Sequence, residues 1–471
     1  MMHITLTAKI FLWIPLVGLC ACAWAEEPVP ACPSKSAIPR SAPKRIAQTL
    51  QLPMDVASIS YALVGPTVAI DAEYDGSGRL VCASPVAGRS VYWPYAIAAL
   101  SRQGATRTRQ VFEFDEPGEA RRRENNVARE RNLAPCSEDT RADIALDLGS
   151  KYMALRRMED ATRCIDVAIR DSPDFFASHY IRAILAGQFH DAQTSIKEYR
   201  RAMELLPTLY DAELGLLQMQ WLSGDLEAAN ITHRDLAGKS PPLPIRVQMY
   251  STLTYLYDGA KRRHDAAEAA VKHLDAEREV HLRYPDPYSQ ARLAFDSRTV
   301  AIRQEEIGEH ALAAKYFAES VKWSYNEKVS EAVRFEADLG RARALKRTGE
   351  ARTAISICGE WRRRISQVGP ELNNLHWGGK TIVQARWEFA CGDFNKGLGL
   401  VQKDMKRHPT NDTPYLVLEE GYRSRGQSDL ADQVHGMAER VRSAHDRAVL
   451  GSILREADEL VKRGNIVTIT K

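Results

Sequence analysis

Apolar residues in the middle of the chain follow a helical spacing that repeats with a period of about 34 residues. Pro173, Pro207 and Pro241 mark this period. Within a unit, apolar positions fall three or four residues apart, which is the spacing of one buried helix face. The unit that begins at Ala142 is the most complete: Leu148, Gly149, Tyr152, Ala161, Ile165, Ala168 and Pro173. The pattern predicts a mainly α fold built from a repeated pair of helices.

These positions resemble the signature of the tetratricopeptide-repeat family. The resemblance implies an α-solenoid, in which each helix pair buries its apolar face against the next pair and a concave binding surface results. Such a surface binds other proteins or peptides and seldom catalyses a reaction. The period divides the chain into three repeats at 142–243, a divergent helical region at 244–294, further repeats of this type at 295–445, and a capping helix and tail at 446–471.

Residues 47–115 lack this period and are expected to form a small α+β domain. Apolar and polar residues alternate from Val68 to Tyr74, as in a half-buried strand. The expected elements that follow are a hairpin turn at Asp75–Gly78, a strand at Leu80–Ser84, a helix at Gly88–Leu100 and a strand at Gln110–Phe114.

The order of these elements resembles the carboxy-terminal domain of TonB-type energy transducers. The resemblance implies a role in energy transduction or envelope transport. Residues 101–109 contain no aromatic side chain where that family has an aromatic segment, and a capping domain for the solenoid is the alternative interpretation. The residues that carry the resemblance are Asp75, Gly78, Arg79, Leu80, Ala87, Gly88, Ala96, Ala98 and Ala99.

The segment 1–25 has the layout of a secretory signal peptide. Lys9 precedes an apolar run from Ile10 to Leu19, and a small-residue cleavage site follows at Ala23 to Ala25. The run is too short for a membrane-spanning anchor, so a periplasmic or secreted protein is predicted. Lipidation of Cys22, which would give an outer-membrane lipoprotein, is a second alternative. A proline-rich linker at 26–46 and a charged connector at 116–141 separate the predicted domains.

The charge of the chain gives no indication of a nucleic-acid partner or an anionic membrane. The formal net charge is +3, and it becomes +2 when Lys9 is removed with the signal peptide. The cluster Arg121, Arg122 and Arg123 is surrounded by glutamates, which favours a solvated segment over a phosphate-binding patch.

Six cysteines remain after cleavage of the signal peptide, and an even number in an exported chain permits disulfides. Cys358 and Cys391 fall on neighbouring helices of successive repeats, which predicts a bond between them. A buried, inert thiol is the alternative interpretation for Cys164 and Cys358. No zinc-binding spacing occurs among the cysteines, and His264, His273 and His281 are spaced so that they lie on different turns. No metal site is predicted.

No enzyme motif stands out. Gly378, Gly379, Lys380 and Thr381 resemble the end of a phosphate-binding loop, but its first glycine is replaced by Asn374 and no apolar strand precedes it. A loop that opens a repeat helix explains these residues. We expect a non-enzymatic scaffold without a cofactor, with an exported enzyme lacking a recognisable motif as an alternative function.

In tetratricopeptide repeats the first helix lines the groove, and transferring those positions gives the candidate partner-binding residues. The aromatic Trp221 has inter-repeat packing as an equal alternative. The carboxy-terminal groove is basic, which suits an acidic or carboxylate-bearing peptide. Leu146 and Ser150 occupy the positions where chaperone-binding repeats carry a lysine and an asparagine, so that binding mode is not expected. The candidate residues are Tyr180, Ile184, Gln188, Leu214, Gln218, Trp221, Arg343, Lys346, Arg386 and Phe389.

Overall fold

A computed structural model describes residues 29–33, 44–46, 50, 68–103, 109–114, 133, 135–285, 287–326, 328–367, 379–443 and 447–469. The predicted signal peptide and Cys22 lie outside these residues, as do most of the proline-rich linker and of the charged connector. In the described part, the chain forms four strands and eighteen α-helices. None of these helices is both long enough and apolar enough to cross a membrane.

The amino-terminal domain is a four-stranded sheet with one α-helix. The strands are β1 (Lys44–Ile46), β2 (Val68–Tyr74), β3 (Leu80–Ala87) and β4 (Gln110–Phe114), in the spatial order β1-β4-β2-β3. β2 pairs antiparallel with both β3 and β4, whereas β1 pairs parallel with β4. A 3₁₀ turn at Ser90–Tyr92 leads into α1 (Trp93–Gln103). The expected strand, turn, strand, helix and strand therefore occur in that order.

The hairpin between β2 and β3 is fixed by Asp75. Its Oδ1 atom accepts hydrogen bonds from the amides of Ser77 at 2.9 Å and Arg79 at 3.0 Å. Gly78 has a φ of +83°, a conformation that costs little only in glycine. The outer edge of β3 is covered by the preceding chain, because the amide of Ala83 donates to the carbonyl of Pro30 at 2.9 Å.

Three regular helix pairs follow, in phase with the period of the sequence. The helices pack closely both within a pair and between pairs: a Cβ atom on Gly149 would lie 2.5 Å from Ile165 of the same pair, and one on Gly215 would lie 2.4 Å from Tyr199 of the preceding pair. The helices are α2 (Ala142–Ala154), α3 (Met158–Asp171), α4 (Phe176–Gln188), α5 (Ala192–Leu205), α6 (Tyr210–Leu222) and α7 (Leu226–Gly238).

The divergent region consists of longer helices. α8 (Leu243–Gly259), α9 (Arg263–Arg283) and α10 (Pro287–Glu306) contain 17, 21 and 20 residues. The boundary expected at residue 294 falls inside α10, because this helix begins at Pro287. Proline at the first helical position loses no intrahelical hydrogen bond. The first helix of the next pair therefore begins before the expected start at 295.

The remaining helices continue the paired arrangement to the carboxy-terminal end. The last helix packs its apolar face, which includes Leu450, Ile453, Ala457 and Leu460, against the final repeats. The helices are α11 (His310–Trp323), α12 (Glu331–Arg347), α13 (Ala351–Gln367), α14 (Gly379–Cys391), α15 (Phe394–Arg407), α16 (Thr413–Ser424), α17 (Ser428–Ser443) and α18 (Arg447–Ile469).

Three disulfides join the six cysteines that follow the predicted signal peptide. Cys358 of α13 is bonded to Cys391 of α14, with Cα atoms 5.6 Å apart, which confirms the predicted pair. The other bonds are Cys32–Cys82, beside the edge of β3, and Cys136–Cys164. The interpretation of Cys164 and Cys358 as inert thiols is wrong, because the stacked elements bring each within bonding distance of another cysteine.

The α+β domain packs against the first half of the solenoid. Ser90 contacts Asp211 of α6, and Tyr284, just after α9, packs beside Ala69 and Val86 of the sheet. Asp71 of β2 is buried between two guanidinium groups, Arg109 at 2.7 Å and Arg283 at 3.7 Å. These contacts form one continuous interface between sheet and helices.

Candidate functional site

The second half of the solenoid curls around a cavity of about 560 Å³. Residues of α8, α10, α12, α16 and α17 line it, so helices that are distant in sequence face one another across it. Seven acidic side chains and six lysine or arginine side chains lie in its wall. The wall is therefore highly charged but almost neutral in sum.

At the inner wall, two arginines from successive repeats meet one glutamate. Arg343 of α12 and Arg386 of α14 contact the two carboxylate oxygens of Glu420 of α16, at 3.2 Å and 3.3 Å. Arg343 also binds Glu305 at 3.1 Å. Arg386 also binds Glu336 at 2.7 Å, and that glutamate contacts Arg298 as well. We call Arg298, Glu305, Glu336, Arg343, Arg386 and Glu420 the inner ion cluster.

Opposite charges in the inner ion cluster counteract the effect of burial on Glu420 and Arg343. Burial alone raises the pKa of Glu420, but the facing guanidinium groups of Arg386 and Arg343 outweigh it, so the pKa lies below its usual value. Burial lowers the pKa of Arg298 to about 10. For Arg343, burial acts in the same direction, but Glu305 and Glu420 reverse it and raise the pKa. Glu420 and Arg343 are therefore ions at neutral pH, and a further charged group binds to Arg343 only by exchange.

A second set of ion pairs lies at the mouth of the cavity. Arg423 of α16 binds Glu419 at 2.9 Å and Asp432 of α17 at 3.1 Å. Lys261, in the turn between α8 and α9, reaches the same Asp432 at 3.4 Å, and Arg263 donates to Ser428 at 3.0 Å. These contacts, which we call the clasp, close the second half of the solenoid on itself.

The chain resembles known proteins only in the arrangement of its helices. No protein-family model matches the chain, and no curated protein matches its sequence. Similar solved structures include PilF of Pseudomonas aeruginosa, at 17% identity, 47% of this chain, 91% of that chain and a TM-score of 0.33. A tetratricopeptide repeat protein of Parabacteroides merdae has 16% identity. The match covers 60% of this chain and 98% of that chain, with a TM-score of 0.36. PilW has 16% identity, the match covers 48% of this chain and 94% of that chain, and the TM-score is 0.31.

The positions of the helices show the repeats. α2 to α7 form three successive pairs whose first helices begin at Ala142, Phe176 and Tyr210, in step with the period of the sequence. The fold is a tetratricopeptide-type α-solenoid. The ten candidate partner-binding residues lie on the first helices of these and the later pairs.

Three of the six candidate residues in the first three repeats are buried. The α+β domain covers Tyr180: burial raises its pKa, and Arg89 and Tyr92 of the covering segment are close enough to contribute. Leu214 is also buried, and Trp221 packs edge-on against Tyr257 of α8 with ring centres 5.3 Å apart. Ile184 is half-buried, while Gln188 and Gln218 are exposed.

The four candidate residues of the later repeats do not share one environment. Arg343 and Arg386 meet in the inner ion cluster. Lys346 is exposed and donates from Nζ to the carbonyl oxygen of Ala390 at 2.8 Å. Phe389 packs against Phe394, with ring centres 5.0 Å apart, and is part of the core between repeats. The glutamates of the cluster were not among the expected groove residues.

Proposed function

We propose that the protein is an exported, non-enzymatic scaffold that binds a carboxylate-bearing segment of another protein in the cavity of its second half. The convergence of Arg343 and Arg386 on Glu420 carries this proposal. Glu420 is the most exposed acidic member of the inner ion cluster, with 33% of its side chain accessible, whereas Glu305 and Glu336 are 13% and 11% accessible. It is the carboxylate that a partner can replace most readily.

Binding would proceed by exchange of one carboxylate for another. Two guanidinium groups already face a single carboxylate position, and guanidinium forks bind carboxylates in a bidentate manner. A glutamate, an aspartate or a chain terminus of a partner would take the place of Glu420, which would turn towards solvent. The cavity volume suits a few side chains of a peptide segment rather than a folded domain. The site would therefore select one carboxylate of the partner, at the position of Glu420, rather than an acidic segment along a basic groove.

Export is supported by the cysteines. Disulfides form and persist in oxidising compartments, and three bonds account for all six cysteines beyond residue 25. Together with the signal-peptide pattern, this favours a periplasmic or secreted protein. Lipidation of Cys22 would add attachment to a membrane without changing the proposed binding site.

A TonB-related energy-transduction role has less support. An exposed sheet edge is where an additional strand would pair. The edge of β3 is occupied, because Pro30 accepts from Ala83 and the disulfide Cys32–Cys82 holds the covering segment in place. The contacts of the sheet with Asp211 and Arg283 favour a domain that caps its own solenoid.

The test combines crosslinking in cells with affinity measurements. A photo-crosslinker at Leu416, in the cavity wall, should trap a partner, whereas crosslinkers at the exposed Arg163 and Glu439 serve as controls. The trapped segment is then made as a peptide and titrated by calorimetry. Glu420→Gln should bind it about tenfold more tightly and Arg386→Lys about tenfold more weakly, the equivalent of one charge-assisted hydrogen bond.

Lys346→Gln is the matched control, because Lys346 is a cation of the same groove outside the inner ion cluster. Its affinity should equal that of the wild type. Capture only from Arg163 or Glu439 would refute the cavity as the binding site. Equal affinities for all three variants would refute the exchange of carboxylates.

A further inference from the structure

Three potential metal ligands lie together between α9 and α10, outside the cavity described above. His273 and Glu277 are four residues apart and therefore share one face of α9. Asp296 faces them from α10. The nearest ligand atoms of the three side chains all lie within 4.8 Å of one another. Glu277 is buried, and the other two residues are half-buried.

The hydrogen bonding of this cluster is incomplete. The Oδ2 atom of Asp296 is buried, and none of the described residues donates a hydrogen bond to it. Its other oxygen is 3.8 Å from Nδ1 of His273, which is too long for a hydrogen bond. The nearby cation is Arg292, whose Nε donates to Glu277 at 3.1 Å and whose side chain is 44% exposed. A buried carboxylate oxygen without a donor is costly, and a bound cation removes that cost.

We propose that His273, Glu277 and Asp296 form a binding site for a divalent transition-metal ion of the Zn²⁺ type. An imidazole and two carboxylates supply one nitrogen and two oxygen ligands, a set that suits Zn²⁺ better than Mg²⁺ or Ca²⁺. Zn²⁺ holds such ligands at about 2.0–2.2 Å, so each donor atom has to move by less than about 1 Å to reach a common centre. The two carboxylates balance the charge of the ion.

Burial has opposite consequences for two of the ligands. Burial lowers the pKa of His273 to about 4, with a smaller contribution from Arg292, so the imidazole is neutral and its lone pair is available. Burial, together with the neighbouring Glu277, raises the pKa of Asp296 to about 8. A metal ion would displace the proton of this carboxyl group and offset the cost of its ionisation. A bound ion would link the second helix of one pair to the first helix of the next.

The experiment uses the full mature chain, stripped with a chelator and dialysed, with Zn²⁺ and Co²⁺ as probes. Calorimetry should find one equivalent of Zn²⁺ bound, and Co²⁺ should give a visible ligand-field spectrum of one nitrogen and several oxygen donors. His273→Gln and Asp296→Asn should each weaken Zn²⁺ binding by at least about tenfold and abolish the Co²⁺ spectrum. His264→Gln, an exposed histidine of the same helix, is the control and should bind as the wild type does.

Stability separates a metal site from a structural role of the same residues. Without metal, Asp296→Asn should unfold at the same temperature as the wild type or a higher one, because it removes a buried carboxyl group. Addition of Zn²⁺ should then raise the unfolding temperature of the wild type and of His264→Gln, but not that of Asp296→Asn. If Asp296→Asn does not fold, His273→Gln provides the same comparison. Wild-type protein that binds no Zn²⁺, or variants that bind it as the wild type does, would overturn the proposal.

Discussion

The backbone amide and the hydroxyl group of Ser90 both donate hydrogen bonds to one carboxylate oxygen of Asp211, 121 residues further along the chain. Ser90 belongs to the turn before α1, and Asp211 belongs to the first helix of the third repeat. The α+β domain is thus held on the groove side of the solenoid. A partner of the first three repeats would have to compete with a part of the same chain.

Replacing Asp211 should loosen this attachment. Asp211→Ala removes the carboxylate oxygen that accepts both hydrogen bonds and leaves the buried Ser90 unpaired, which should cost about 1–3 kcal/mol of stability. Hydrogen exchange should become faster in the 68–103 segment and in α6, while α14 to α18 stay protected. Glu227→Ala, at an exposed position of α7, is the control. Unchanged exchange at residues 68–103 would mean that the apolar contacts alone hold the domain.

The pair His179 and Glu198 predicts a pH dependence of stability. The two side chains are buried and 2.5 Å apart. Burial lowers the pKa of His179, but the hydrogen bonds to Glu198 and Pro173 outweigh it, and the pKa is raised overall. The hydrogen bond from His179 lowers the pKa of Glu198 against the effect of burial. The stabilisation by His179 is therefore complete below its ordinary pKa of 6.5 and is lost as the pH rises through the raised value.

The stabilisation by Glu198 has the opposite sense. It is complete above the ordinary pKa of 4.5 and is lost as the pH falls through the lowered value. Glu198→Gln should therefore destabilise the protein most between these two ordinary pKa values and less at about pH 8.5, as measured by urea unfolding at each pH. A constant difference between the variant and the wild type over this range would contradict the assignment.

Close helix packing makes Gly340 sensitive to any side chain. A Cβ atom there would lie 2.3 Å from the ring of the buried Phe317 in the adjacent helix. Gly340→Ala should therefore cost about 1–3 kcal/mol through overpacking. Gly359→Ala, with no atom within 4 Å, should stabilise α13 by up to about 1 kcal/mol through helix propensity. Thermal unfolding distinguishes the two signs, and equal effects would disprove the close contact.

The disulfides predict that none of the six cysteines beyond residue 25 is a free thiol. Alkylation without reduction, followed by mass spectrometry, should add no label to the six cysteines, whereas six labels would exclude every bond. The double variant Cys358→Ser, Cys391→Ser should lose about 2–4 kcal/mol, because the bond closes a loop with a sequence separation of 33 residues. Reduction of the wild type should lower its stability by at least as much.

The regular repeats were predictable because each carries local signals. Proline and small residues recur in phase from Ala142 to Pro241, and the helices begin and end accordingly. The divergent region does not follow the 34-residue period, because its helices are longer than those of the first three repeats. The predicted boundary at residue 294 falls inside α10, because that helix begins at Pro287. A proline marks either end of a helix, and only its packing partners decide between them.

The candidate site was only partly predictable. Groove positions predict Arg343 and Arg386. Glu336 and Glu420 also occupy groove positions of their repeats, but the sequence does not indicate that they pair with the two arginines. Their pairing depends on curvature accumulated over several repeats, which a pattern between nearest neighbours does not encode. The spacing of His273 and Glu277 is visible in the sequence. Their partner Asp296 becomes evident only when α10 packs on α9.

The clasp at Asp432 changes the mechanics of the second half of the solenoid. A solenoid with free ends stretches and twists like a spring, whereas the contacts of Lys261 and Arg263 with α17 turn this one into a latched ring. Lys261 is 73% exposed, and an ion pair of that kind is worth at most about 1 kcal/mol. The contact of Lys261 therefore adds little to the closure of the ring, which Arg263 also holds through Ser428 at 3.0 Å. For the proposed function, opening of the clasp would widen the ring and give a peptide a way in while the repeats stay intact.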